Sequence, residues 1–186
     1  MKRLVCILLF LGLLCGCGRG NDLYDRVISL RTDILRAKSC RFLTQVTADF
    51  TDKTYTFTME CFADADGNVQ FTVLEPAYIA GISGTIGDDG GKLTFDDTAL
   101  AFELQSDQLF SPVSAPWVLI RSLREGYIND YGMEGEMLRL TVDDSYDEDA
   151  LTLHIWLGEG DRPIHADIYE NNRRILTIEI KAFEIL

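Results

Sequence analysis

The sequence predicts an α+β fold, an antiparallel β-sheet with an N-terminal amphipathic helix and one inserted helix. Three observations predict it. Apolar spacing changes from near four to two at Arg41. The alternating stretches that follow are divided by short runs of Asp, Asn and Gly, as hairpins require. The one later interruption, Ser114 to Gly126, carries helix start and stop residues.

Residues 1–16 stand apart from that fold. Lys2 and Arg3 give a positive start, and Leu4 to Leu14 are apolar except for Gly12. This is the pattern of a secretory signal peptide, and it falls well short of the about 20 residues that span a bilayer. Leu14-Cys15-Gly16-Cys17 resembles a bacterial lipobox, where a leucine three positions back and a small residue one position back precede a cysteine that becomes diacylated. Cys17 fits; Cys15 does not, because Leu14 would place a bulky side chain beside it. The expected organisation is a signal peptide over 1–16, a lipidated Cys17 with tether over 17–20, and one domain over 21–186.

Composition narrows the partners. Loss of Lys2 and Arg3 with the signal peptide takes the formal charge from −13 to −15. So acidic a body repels nucleic acid and anionic headgroups, so no nucleic-acid partner is expected. Attachment to the cell membrane, on its extracytoplasmic face, then falls to the diacylglyceryl group on Cys17, whose two chains suffice for stable anchoring.

In chain order, Asn21-Asp22 can cap a helix whose apolar stripe is Leu23, Val27, Leu30, Ile34 and Leu35; its mixed charges suit packing on a sheet. Phe42 to Phe50 and Tyr55 to Cys61 alternate around a two-residue turn at Asp52-Lys53, which pairs Phe50 with Tyr55 and Thr44 with Cys61. That register sets Cys40 four residues, or roughly 13 Å, from Cys61, too far for a disulfide. Both thiols are expected reduced and packed. A three-residue loop sets Val69 against Ala65, and Pro76 ends that strand. A bent strand, an acidic turn and strands through Leu93 and Phe95, then Leu100 to Leu104, follow. Ser114 as cap, Pro116 in the first turn and Gly126 beyond the end mark the second helix. Met137 to Val142, Leu151 to Leu157, Ile164 to Tyr169 and Ile175 to Ile185 complete the strands.

Motifs for chemistry fail on inspection. Asp64 to Asn68 suggests a calcium loop, but position six holds Val69 where glycine is needed. Gly87 to Lys92 suggests a phosphate loop, but Ile86 and Leu93 stand where the motif needs Gly and Ser or Thr. The five carboxylates of Asp143 to Asp149 read as a solvated tip. His154 opposite Asp167 and His165 opposite Trp156 read as surface cross-strand pairs with no nucleophile beside them. No catalytic residue, metal site or cofactor is expected, and the protein is expected not to be an enzyme.

Two stretches carry a family resemblance. One is the N-terminal helix running into Phe42–Phe50, Tyr55–Cys61 and Val69–Gly84, with Leu74-Glu75-Pro76 before Ala80-Gly81-Ile82. The other is Ala115-Pro116 leading through Leu119 and Leu123 to Gly126-Tyr127-Ile128. Together they resemble the LolA/LolB lipoprotein-carrier superfamily, and look most like the LolA-like lipoproteins of Gram-positive spore formers, the group of the germination lipoprotein GerS. The resemblance implies a sheet curled into a half-barrel with helices closing its concave side. Proteobacterial LolA has no anchor, so Cys17 makes this chain more like LolB in attachment.

Two functions fit. The first is a non-catalytic binding module for an envelope protein partner. The alternative is a carrier or chaperone holding a lipid or lipoprotein acyl chain in the concave cavity, lined by Phe42, Phe57, Phe71, Leu93, Phe102 and Trp117. Open apolar space of roughly 300 Å³ or more is what separates them.

Overall fold

The computed structural model describes residues 19–49, 53–95, 98–102, 111–147 and 150–186, without the side chains of 19–21, 95 and 98–102. The predicted signal segment, Cys17, Phe50, the Asp96-Asp97 turn, Leu104 and Glu148-Asp149 lie outside the described residues.

Helix α1 (Arg19–Arg36) leads into β1 (Ser39–Asp49), β2 (Thr54–Asp64), β3 (Val69–Glu75), β4 (Ser83–Gly87), β5 (Gly90–Phe95) and β6 (Thr98–Phe102). A 3-10 turn, Pro112–Ser114, opens helix α2 (Ala115–Glu125). Strands β7 (Tyr127–Glu134), β8 (Met137–Asp143), β9 (Thr152–Leu157), β10 (Pro163–Glu170) and β11 (Arg173–Ile185) follow. All pairings are antiparallel and form one 11-stranded sheet in the order β6-β5-β4-β3-β2-β1-β11-β10-β9-β8-β7. The sheet is curled and unclosed, as the predicted fold class requires, because β6 and β7 end it on opposite sides.

Alternation decides the faces. Phe42, Thr44, Val46 and Ala48 on β1, with Met59, Cys61 and Ala63 on β2, are buried while most of their neighbours are not. Both helices cover that face, with Val27, Leu30 and Ile34 from α1 and Trp117, Leu119, Ile120 and Leu123 from α2. At Gly84 the sheet admits no side chain, since a Cβ would lie 2.6 Å from the Lys92 carbonyl and 2.8 Å from the Phe71 ring.

Two registers differ from expectation by two residues. Ala48, not Phe50, faces Tyr55, and Phe42, not Thr44, faces Cys61. Val69 faces Ala63 rather than Ala65. There the cause is Asp64, whose carboxylate accepts from the Asp66 and Asn68 N–H groups at 3.0 and 2.9 Å and holds a wider turn. A slip of two keeps every side chain on its face, so the core is unchanged. Cys40 now faces Ala63, two residues from Cys61, and both thiols are free and buried.

The helix ends also differ. Helix α1 begins at Arg19, ahead of Asn21-Asp22, which leaves Asp22 in the first turn where the helix dipole favours an acid. Ser114 does not cap α2; its hydroxyl donates to the Ser111 carbonyl at 2.7 Å, within the 3-10 turn. The capping that matters is at the other end. Arg31 of α1 donates to the carbonyls of Leu123 at 3.0 Å, Ser122 at 3.3 Å and Gly126 at 2.7 Å. These are C-terminal carbonyls of α2, where a cation is favoured. Arg26 adds a pair to Asp161 at 2.5 Å, tying α1 to the β9–β10 turn.

Replacing Arg31 by Met, which keeps the stem but removes the donors, is expected to cost about 2 kcal/mol of stability in urea unfolding. Burial pushes the Cys61 thiol up to about 12. The fold therefore favours the neutral thiol; that stabilisation is whole below the unfolded value of about 9 and is lost as pH rises toward 12. Cys61 is expected to resist a thiol reagent at pH 8 in the native protein and to react once urea unfolds it.

Candidate functional site

An apolar concavity lies between α1 and the terminal strand β7. It has a volume of about 450 Å³. Tyr24, Ile28 and Arg31 come from α1, Tyr127, Ile128 and Tyr131 from β7, and Tyr146 from the β8–β9 turn. Helical spacing explains the first set: Tyr24, Ile28 and Arg31 lie at three-four intervals, on the flank of the buried stripe formed by Val27, Leu30 and Ile34.

A strand interruption explains the second. The β7–β8 register shifts between Ile128 and Asp130, so half-buried and exposed residues follow in pairs along β7 instead of alternating singly. Tyr131 meets Tyr24 with ring centroids 6.2 Å apart, and Tyr146 lies against Tyr127. Burial and the neighbouring phenol push the Tyr127 pKa up.

The result is an amphipathic groove. Large apolar groups stay exposed along it: Tyr24 is 49% exposed, Ile28 37% and Tyr146 81%. The phenol oxygens and the Arg31 guanidinium add polar groups. Such a surface accepts a flexible apolar chain with a polar end, or apolar side chains of a partner. Its anchor to the turn is firm, since Asp143 accepts from Thr152 Oγ1 at 2.7 Å and Asp144 from the Leu151 N–H at 2.8 Å. Those two acids of the predicted solvated tip thus brace it; burial raises the Asp144 pKa.

The residues expected to line a cavity lie away from this groove, with Phe71 among the residues around a different concavity, over β1 to β5. Phe42, Phe71 and Trp117 are buried in the core between sheet and helices, and Phe57 and Leu93 are partly buried against it. The side chain of Phe102 lies outside the described residues. None of the five described side chains lines the α1–β7 groove. Sequence reading missed β7 because it lacks single alternation; the available signal was Tyr127, Ile128, Tyr131 and Met133 after the Gly126 stop.

The histidine pairs match the expected register, with Asp167 opposite His154 and His165 opposite Trp156. Asp167 is committed to Thr177 Oγ1 at 2.8 Å and to Arg174 at 3.2 Å. His165 Nδ1 sits 2.9 Å from Glu179, and burial lowers the His154 pKa. These contacts knit adjacent strands together. Among the described residues no cluster of His, Cys, Asp and Glu could hold a metal ion, and no helix is long and apolar enough to cross a membrane.

Fold and groove define the class: a curled, open antiparallel sheet with two helices on its concave face and an apolar groove at one end. No protein-family model and no curated protein matches the sequence. Solved structures resemble it in chain path. A LolA superfamily protein of Nitrosomonas europaea shares 8% identity over 86% of this chain and 93% of its own, with a TM-score of 0.47. A putative outer membrane lipoprotein-sorting protein domain of Vibrio parahaemolyticus shares 8% over 86% and 91%, TM-score 0.45. The Mycobacterium tuberculosis lipoprotein LppX shares 8% over 88% and 96%, TM-score 0.44. At this identity the likeness concerns the path of the chain and assigns no ligand.

Proposed function

We propose that this chain is a membrane-anchored extracytoplasmic lipoprotein that binds, without catalysis, the apolar chain of a lipid or of another lipoprotein. Residues 1–16 are its signal peptide, Cys17 carries the diacylglyceryl anchor, and residues 21–186 form the binding domain. The observation that carries the reading is the α1–β7 groove, whose volume of about 450 Å³ exceeds what a carrier needs. Its position adds support. Ile28 is nine residues beyond Arg19, where α1 begins, and so about 14 Å along the helix from the anchored end. The groove would thus open close to the bilayer that supplies such chains.

A second reading, docking of an envelope protein, is favoured by β7 itself. As the last strand of the sheet it has one backbone edge unpaired among the described residues, and a partner strand could add there.

Cys17→Ser is expected to release the protein from the membrane fraction on cell fractionation. For the groove, the full chain in vesicles containing a photoactivatable acyl lipid is irradiated and the adducts are mapped by mass spectrometry. Adducts are expected at Tyr24, Ile28 and Tyr131, and Ile28→Glu should cut the yield about tenfold, since a carboxylate is costly in an apolar groove. Adducts confined to Phe57, Leu93 and Trp117 would move the ligand to the interior layer. Absence of lipid adducts, with protein adducts at a photoreactive residue replacing Asn129, would favour the docking reading.

A further inference from the structure

The opposite face of the sheet holds a second concavity, of about 470 Å³, across β1 to β5. Register sets Arg41, Phe62, Gln70, Thr85 and Lys92 in one row across the five strands. The next row on the same face is Glu60, Thr72, Ser83 and Thr94. Arg41 and Lys92 therefore stand at the two ends, four strand spacings or about 19 Å apart along the sheet.

Three features of this surface bear on what it could bind, the first shared with Arg36, Lys38, Lys53 and Lys181, which also lack an ion pair among the described residues. The first is the state of the cations. In a chain of formal charge −13, Arg26, Arg139 and Arg174 are committed to carboxylates and Arg31 to carbonyls. Arg41 and Lys92 make no ion pair or side-chain hydrogen bond among the described residues. Glu60 in the adjacent row and Glu184 opposite Arg41 are the nearest acids by register, and neither comes within 4.0 Å of either cation. The second is the density of neutral donors and acceptors: Gln70, Thr72, Ser83, Thr85 and Thr94 line the concavity, and none spends its side chain on another described residue. The third is Phe62, an aromatic ring half-buried in the row beside Arg41.

We propose that this concavity binds an acidic carbohydrate chain. Arg41 and Lys92 take carboxylate or phosphate substituents through charge-assisted hydrogen bonds. The hydroxyl and amide groups between them exchange hydrogen bonds with sugar hydroxyls, and the Phe62 ring covers an apolar sugar face. The separation of the cations calls for an oligomer rather than a single sugar. Nucleic acid is disfavoured because two cations about 19 Å apart do not follow a continuous run of phosphates. An acyl chain is disfavoured because polar groups dominate the lining. This site lies on the face away from α1 and β7, so it stands or falls independently of the groove.

The test is titration of the full chain, held in nanodiscs of zwitterionic lipid, with four oligomers: oligogalacturonate, a phosphorylated maltooligosaccharide, neutral maltooligosaccharide and polyglutamate. At least one acidic sugar is expected to bind more tightly than both the neutral sugar and polyglutamate. Which one does so distinguishes carboxylate from phosphate. Arg41→Gln with Lys92→Gln should weaken that binding at least about tenfold, and Thr72→Val about fivefold, the equivalent of one hydrogen bond. Lys53→Gln, on the exposed β1–β2 turn, should leave it unchanged. Equal binding of polyglutamate, or affinity unaltered in both the Arg41/Lys92 and Thr72 variants, overturns the proposal.

Discussion

The pairing of β1 with β11 is the constraint on which the rest of the molecule depends. Nine residue pairs from Cys40–Ile185 to Ala48–Leu176 join the first strand to the last. On one side β1 to β6 run as a meander, and on the other β11 back to β7 form another. The seam therefore closes nearly the whole chain into one sheet, a large loop-closure cost that only extensive burial can offset. The sequence supplies that burial by alternation, which puts Phe42, Val46, Ile178 and Ile180 on one side of the seam.

Curling that sheet leaves one face concave and apolar, and two helices must cover it. Their relation is set by Arg31, which crosses from α1 to the C-terminal carbonyls of α2, and burial lowers its pKa without removing its charge. With α2 held over the seam and α1 tied to the β9–β10 turn by Arg26, α1 overhangs β7 without filling the space beside it. The groove is a consequence of that overhang. The outer face is left to short-range chemistry, and β1 to β5 there carry polar rows between two uncommitted cations.

Much of this was legible from periodicity. The period change at Arg41 located the sheet, Pro116 and Gly126 bracketed α2, and the alternation along β9 and β10 set His154 against Asp167. The two-residue register slips were not legible, because they depend on loop closure by the Asp64 carboxylate, a contact made only once Asn68 comes near. Strand β7 was hidden for a related reason: a bulge replaces single alternation by paired exposure, and periodicity cannot see it. Of the apolar residues named for a cavity, Phe42, Phe71 and Trp117 are buried and Phe57 and Leu93 partly so, but a sequence does not say whether inward residues meet one another or a void.

By itself the sequence determined the fold class, the faces of the strands and the acidic character of the body, because these follow from composition and from spacing along one chain. Ahead of Arg19 it carries the residue pattern expected of an export and lipidation signal. Tertiary structure decided where open space remains. That depends on how α1, α2 and β7, far apart in sequence, stop short of filling the volume between them, and on which cations find partners once the chain has folded. Spacing along a chain encodes direction; only packing in three dimensions encodes vacancy.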